Sequence, residues 1–269
     1  MSTSYRTRSQ ADTASPIWLL LLVGIIIAGL IAWYLFNAPP AYDRATDAEK
    51  KILDYAQDHD LRWQDWPKSI RQLLERNPET EAFVLGYPTS KNTPVQVSLE
   101  AYKGSTYVPL FLQWDPQWGY LTYGDDVAGI TGCGPVCLSM VAFYLTGDEA
   151  FSPDKMIAFA TENNYYVSGN GSSWTLISKG AVQLGFDVTE LPLDKNRIRR
   201  NLEAGIPVIC SMGPGDFTTS GHFIVLVGWE DGKIRINDPN SIKNSEKLWE
   251  YEDIEDQIRN LWAIRTSSE

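Results

Sequence analysis

Residues Gly129-Ile130-Thr131-Gly132-Cys133-Gly134-Pro135-Val136-Cys137 open an apolar run of helical spacing, so Cys133 sits where a helix begins. A helix start, with its unpaired N–H groups and the positive end of the dipole, is where a cysteine gains nucleophilic character. Downstream stands one histidine, His222, heading the apolar run Gly221-His222-Phe223-Ile224-Val225-Leu226-Val227, and Asp238 follows the next strand-like run. Thiol, imidazole and carboxylate supply a nucleophile, a base and a group that orients the base. This is the chemistry of a cysteine hydrolase. The other histidine, His59 in Asp58-His59-Asp60, reads as a solvated helix end.

The rest of the chain must position these groups. It has 269 residues, 43% of them hydrophobic, enough for one sizeable core and an appendage. Residues 17–36 are uncharged and of the length a helix needs to cross a bilayer, with Trp18, Trp33 and Tyr34 where interfacial aromatics belong. Phe36-Asn37-Ala38 before two prolines is a poor signal-peptide cleavage site, so an uncleaved single-pass anchor is expected. Arg6 and Arg8 before the run are matched by Arg44, Lys50 and Lys51 after it, so charge does not set its direction. The expected default is a short cytoplasmic tail, residues 1–16, with the bulk of the chain outside the cell. A net charge of −11 without a basic stripe disfavours nucleic-acid binding. Three cysteines and two histidines cannot build a disulfide scaffold or a zinc site of ordinary spacing, and no metal or cofactor is expected.

Residues 37–106 read as a linker and a small helical lead-in. Thr46-Asp47-Ala48-Glu49 has capping-box spacing before a helix near 47–58, Pro67 opens a second, and Asn77-Pro78 separates it from a third near 79–86. In the main domain, residues 107–269, Val108–Leu112 reads as a strand. Helices are expected near 134–145, 153–163, 174–184 and 195–204, with strands at 207–212, 223–229, 233–237 and 261–265 and a helical turn at 252–258. Asp231-Gly232 marks a hairpin. Helices followed by antiparallel strands give an α+β layout.

A nucleophile on the first helix and a base on a strand packed against it resembles papain-like cysteine peptidases, and more closely the bacteriocin-processing (double-glycine leader) peptidase-like family. The resemblance rests on Val108-Pro109-Leu110-Phe111-Leu112-Gln113-Trp114-Asp115-Pro116-Gln117-Trp118-Gly119, Gly132-Cys133-Gly134-Pro135, Gly221-His222-Phe223-Ile224-Val225 and Asn237-Asp238-Pro239. It covers about residues 107–265 and implies a papain-like cysteine peptidase fold. It further implies Cys133 as nucleophile, His222 as acid and base, Asp238 as the orienting group, and Gln113 as an oxyanion donor with the Cys133 N–H. Asn237 is the neighbouring candidate for the orienting role, and Pro239 favours Asp238 because it matches the family pattern. Gly132 and Gly134 are expected to keep Cβ atoms from the path of a substrate carbonyl.

Cys137 and Cys210 are expected to meet across the helix–sheet interface, as a disulfide or as packed thiols. Residues 213–221 form either a lid over the cleft or an ordinary glycine-rich connection. Trp114, Trp118 and Trp174 serve core packing or a subsite. The expected protein is thus a membrane-anchored extracytoplasmic thiol peptidase acting on a peptide or protein substrate. The alternatives are a peptidoglycan peptide or amide hydrolase, or an inactive peptide-binding module. No ATP-binding motif accompanies the domain, so an exporter partner would be a separate chain.

Overall fold

A computed structural model describes residues 16–94 and 96–267, which leaves all but the last residue of the expected cytoplasmic tail outside the described residues. The first helix is α1, Pro16–Asn37. Its described side chains, 18–33, are all exposed. Among the described residues no helix is long and apolar enough to cross a membrane, so the span expected at 17–36 is left unsupported.

The lead-in contains α2 (Asp47–Asp58), α3 (Lys68–Arg76) and α4 (Glu81–Ser90). Thr46 caps α2 reciprocally: its hydroxyl accepts from the Glu49 N–H at 3.2 Å and its own N–H donates to the Glu49 carboxylate at 2.9 Å. Ile52, Ile70, Leu73, Leu74, Phe83 and Val84 form a buried cluster that also takes in Tyr120 and Val127 of the main domain. The lead-in and the main domain therefore share a core.

The main domain continues through β1 (Thr122–Tyr123), β2 (Asp126–Val127), α5 (Ala128–Thr131), α6 (Cys133–Thr146) and α7 (Pro153–Glu162). Then come β3 (Tyr166–Val167), β4 (Gly171–Ser172), α8 (Ala181–Gln183), β5 (Phe186–Glu190) and α9 (Lys195–Glu203). The last part holds β6 (Val208–Met212), β7 (His222–Glu230), β8 (Lys233–Asn237), α10 (Ile242–Glu246), β9 (Leu248–Trp249), α11 (Tyr251–Ile254) and β10 (Ile258–Thr266). The main sheet is antiparallel throughout, in the order β5-β10-β6-β7-β8-β9. Asp231 and Gly232, both at positive φ, close the β7–β8 hairpin.

Both faces of this sheet are covered. α6 brings Val136, Cys137 and Met140 onto Ile209, Phe223, Val225, Trp262 and Ile264. Against the opposite face, Ile198 and Leu202 of α9 pack on Val208, Cys210, Ile224, Leu226 and Ala263. This is the α+β layering expected from the order of elements, with the helix that carries Cys133 buried in the middle of the larger core.

Three expectations are corrected or refined. Residues 108–112 form no strand; Pro109 has no N–H for a ladder, and the Asn237 side chain holds the segment instead, donating to the Val108 and Pro109 carbonyls at 3.0 Å each. The helix expected over 174–184 is present, as a π-helical turn, Leu176–Gly180, running into the short α8. Cys137 and Cys210 are both free and buried, on opposite faces of the sheet. Period-two alternation in β6 turns Ile209 toward α6 and Cys210 away, so no bond between the two thiols forms. β1 to β5, α5, α10 and β9 are additional to the elements read from the sequence.

Candidate active site

Cys133 is the first residue of α6 and is partly exposed, so its sulfur is not sealed in the core. Gly132 before it contributes no capping side chain, which leaves the first turn of the helix open beside the thiol. His222 begins β7 and is buried. Its Nε2–H donates to Asp238 Oδ1 at 2.7 Å, which leaves Nδ1 for the thiol.

Asp238, one residue past β8, is 1% exposed and is held by its own loop. Its Oδ1 also accepts from the Asn240 N–H at 2.8 Å, and its Oδ2 accepts from Asn244 Nδ2 at 2.8 Å. Its own N–H donates to Ser245 Oγ at 2.9 Å. A carboxylate with this many donors cannot swing away from the ring it orients.

The electrostatics of His222 follow from these contacts. Burial, the largest single influence, pushes the imidazole toward its neutral form; the charge and hydrogen bond of Asp238, then the hydrogen bond and charge of Cys133, push the other way. The opposing contacts win and raise the pKa from 6.5 to about 10, so the ring carries a proton at neutral pH. Tyr123 lies in the same neighbourhood: burial drives its pKa well up, the Cys133 charge adds to this, and its hydroxyl shares a 2.8 Å hydrogen bond with Ser172 Oγ.

Gln113 reaches α5, the short helix that leads into Cys133, but does not present a free amide. Its Nε2 donates to the Gly129 carbonyl at 3.0 Å and the Ile130 carbonyl at 3.3 Å, while its Oε1 is buried without a partner. A proton for an oxyanion is free only if the two carbonyls share one N–H or the longer contact gives way. Asn237, the rival to Asp238, faces Val108, Pro109 and the Met140 sulfur, on the α6 side of the sheet.

Packing within the protein gives the two glycines a reason of its own. A Cβ on Gly134 would lie 2.4 Å from Ser172 Oγ, and one on Gly132 would lie 2.5 Å from the Ala128 carbonyl, so packing within the protein already excludes larger residues. The 213–221 loop is tied down: Gly213 N–H donates to the Gln257 carbonyl at 2.7 Å, Asp216 N–H donates to Gln257 Oε1 at 2.7 Å, and Phe217 packs on Trp249. Of the three tryptophans, Trp118 is core and Trp114 donates to the Asn240 carbonyl at 3.1 Å. Trp174 is half-exposed and rests edge-on against Trp262, which in turn lies against Phe223, the neighbour of His222. A cavity of about 590 Å³, lined by Lys91, Pro94, Trp118, Tyr120 and Ile157 among others, does not include the trio. Chemistry rather than volume locates the site.

Residues 105–268 match the model of the Peptidase_C39-like family. The chain belongs to that family. This C39-like chain is similar in structure to the peptidase domain of Streptococcus ComA, itself described as a bifunctional ABC transporter of a quorum-sensing pathway. That likeness has 18% identity and a TM-score of 0.39, covering 51% of this chain and 93% of that one. It is also similar to a protein from Bacillus anthracis described as a C39-like peptidase, at 17% identity and a TM-score of 0.37, covering 60% of this chain and 96% of that one. No curated protein matches it.

The family match places Cys133, His222 and Asp238 within the C39-like region, together with Asn240 and Asn244, which the sequence reading did not single out. Asn240 had a local signal: Asp238-Pro239-Asn240 has the spacing of an Asx turn, in which the aspartate accepts from the N–H two residues on. Asn244 had none, because its reach to Asp238 depends on the turn of α10 between them.

Proposed function

We propose that the chain is a membrane-anchored extracytoplasmic cysteine peptidase that cleaves peptide bonds through a Cys133–His222–Asp238 triad. The observation that carries this reading is the buried His222–Asp238 pair beside the thiol at the start of α6. In the reaction, the Cys133 sulfur attacks the carbonyl carbon while His222, held protonated and oriented by Asp238, gives its proton to the leaving amine. The C–N bond breaks and a thioester remains. Water then attacks the thioester with His222 taking its proton, releasing the carboxylic acid and restoring the thiol. The Cys133 N–H at the helix start supports the oxyanion, with Gln113 as the second donor once its amide is released from the Ile130 carbonyl. No cofactor enters this scheme.

The anchor proposal rests on the uncharged run 17–36 with its flanking Trp18, Trp33 and Tyr34. The substrate is a peptide or protein reaching the outer face of the membrane.

Incubating the full chain with a peptide library and, separately, with purified peptidoglycan tests the reading. Defined peptide cleavage that disappears in Cys133→Ala and in His222→Ala, with circular dichroism unchanged, is the expected result. Release of wall fragments alone would replace peptidase by wall hydrolase, and activity retained in either variant overturns the triad.

A further inference from the structure

The lead-in lies outside the stretch matched to the family, residues 105–268, yet it grips both sides of the trio. On the carboxylate side, the Glu79 carboxylate accepts from Ser241 Oγ at 3.0 Å, from the Ile242 N–H at 2.6 Å and from the Lys243 N–H at 3.3 Å. Asn77 Nδ2 donates to the Asn240 carbonyl at 2.6 Å. Residues 241–243 are the segment between Asn240 and Asn244, and those two residues hold the two oxygens of Asp238. The spacing of the donors on Asp238 is therefore set by a carboxylate from the lead-in.

On the nucleophile side, Phe83 of α4 packs so closely on Gly119 and Gly129 that a Cβ at either position would come within 2.8 Å and 2.5 Å of its ring. Tyr120 OH donates to the Phe83 carbonyl at 2.8 Å. The Gly129 carbonyl in turn receives the Gln113 amide, four residues before Cys133.

We propose that the lead-in is a brace built into the catalytic unit, and that Glu79 is the positioning residue through which it holds the Asp238 loop against His222. α10 is five residues long and buries only Ser245, too little for it to fix its own place against the sheet. A carboxylate that collects three donors from three consecutive residues supplies what that packing lacks. The proposal rests on the peptidase reading for its consequence in turnover, and on geometry alone for its consequence at His222.

The experiment uses the full chain with Glu79→Ala, Ser241→Ala, and Glu75→Gln as a control that removes a carboxylate from an exposed site on α3. The protein has two histidines, so the ring protons of His222 are resolved by NMR from those of His59 with His222→Gln as the assignment. In Glu79→Ala the His222 titration is expected to fall from about 10 toward 6.5, as Asp238 loosens and burial dominates. With a cleaved peptide, kcat is expected to drop roughly tenfold at unchanged KM, the lower end of what losing a supporting partner costs. Ser241→Ala should shift both in the same direction by less, and Glu75→Gln should shift neither. Should Glu79→Ala fail to fold, Glu79→Gln, which keeps the side chain's length and removes its charge, carries the test. A His222 titration that does not move in the folded Glu79 variant overturns the brace. Absence of any peptide cleavage by the wild-type chain overturns the peptidase reading instead and leaves the titration to judge the brace.

Discussion

A buried imidazole without a partner gives up its proton; His222 keeps its own because Asp238 and Cys133 outweigh the cost of burial. The consequence for stability has a definite sign. The folded-state pKa, about 10, stands above the unfolded value of 6.5, so protonation of His222 stabilises the fold fully below pH 6.5 and the contribution is lost as pH rises through 10. Thermal melts of wild type and His222→Gln are expected to show their largest gap below pH 6.5 and to converge between pH 6.5 and 10. In the proposed reaction the same proton goes to the leaving amine, so kcat/KM should fall on an alkaline limb near pH 10, read from initial rates with a cleaved peptide. A limb near 6.5 would mean that Asp238 does not hold the ring in solution.

Among the elements, the segment 108–112 shows how a side chain can do the work of a strand ladder. Asn237 donates to two buried carbonyls there, and the Gln113 N–H donates to the Pro239 carbonyl at 2.7 Å, so the segment is fastened at both ends to the β8 terminus that carries Asp238. Asn237→Ala leaves the Val108 and Pro109 carbonyls buried without this donor and is expected to cost about 1–3 kcal/mol, measured by urea unfolding. Turnover should drop as well, because Gln113 comes directly after this segment.

Elements with local signals were legible beforehand: the Thr46 capping box starts α2, Asp194 caps α9 through the Arg197 N–H at 2.7 Å, and Asp231-Gly232 turns the hairpin. The apolar run after Cys133 is α6, buried from Gly134 to Phe143. The segments that misled were those whose partners lie far along the chain. Val108–Leu112 has the composition of a strand, but its hydrogen-bonding partner is a side chain 129 residues away.

For the whole molecule, the proposed anchor and the proposed brace together predict an enzyme whose catalytic unit begins near residue 45, just beyond the linker that comes after α1. The acidic net charge of −11 repels anionic headgroups, so attachment should depend on residues 17–36 alone. In membranes from cells making the full chain, the protein is expected to resist carbonate extraction, and a chain beginning at residue 41 is expected to be released. Added protease should digest the catalytic domain in intact spheroplasts, as an outward orientation requires. Extraction of the full chain by carbonate, or complete protection in spheroplasts, would refute anchoring or orientation respectively.

Residue type and spacing were sufficient, without coordinates, to point to a nucleophile at a helix start, a base at a strand start, an acid after the next strand and an α+β order of elements, because each is a local property of a few consecutive residues. Tertiary structure alone decided that Cys210 turns away from Cys137; against His222 it puts the carboxylate that the Asp-Pro pattern favoured, with Asn237 on the other face. It also decided that Gln113 spends its amide on backbone carbonyls and that Glu79 supports the Asp238 loop. The contacts of Gln113 and Glu79 depend on segments far apart in the chain, and the orientation of residues 210, 237 and 238 on which face of a strand meets which helix. A one-residue change of register reverses that choice while leaving the apolar pattern that a sequence displays intact.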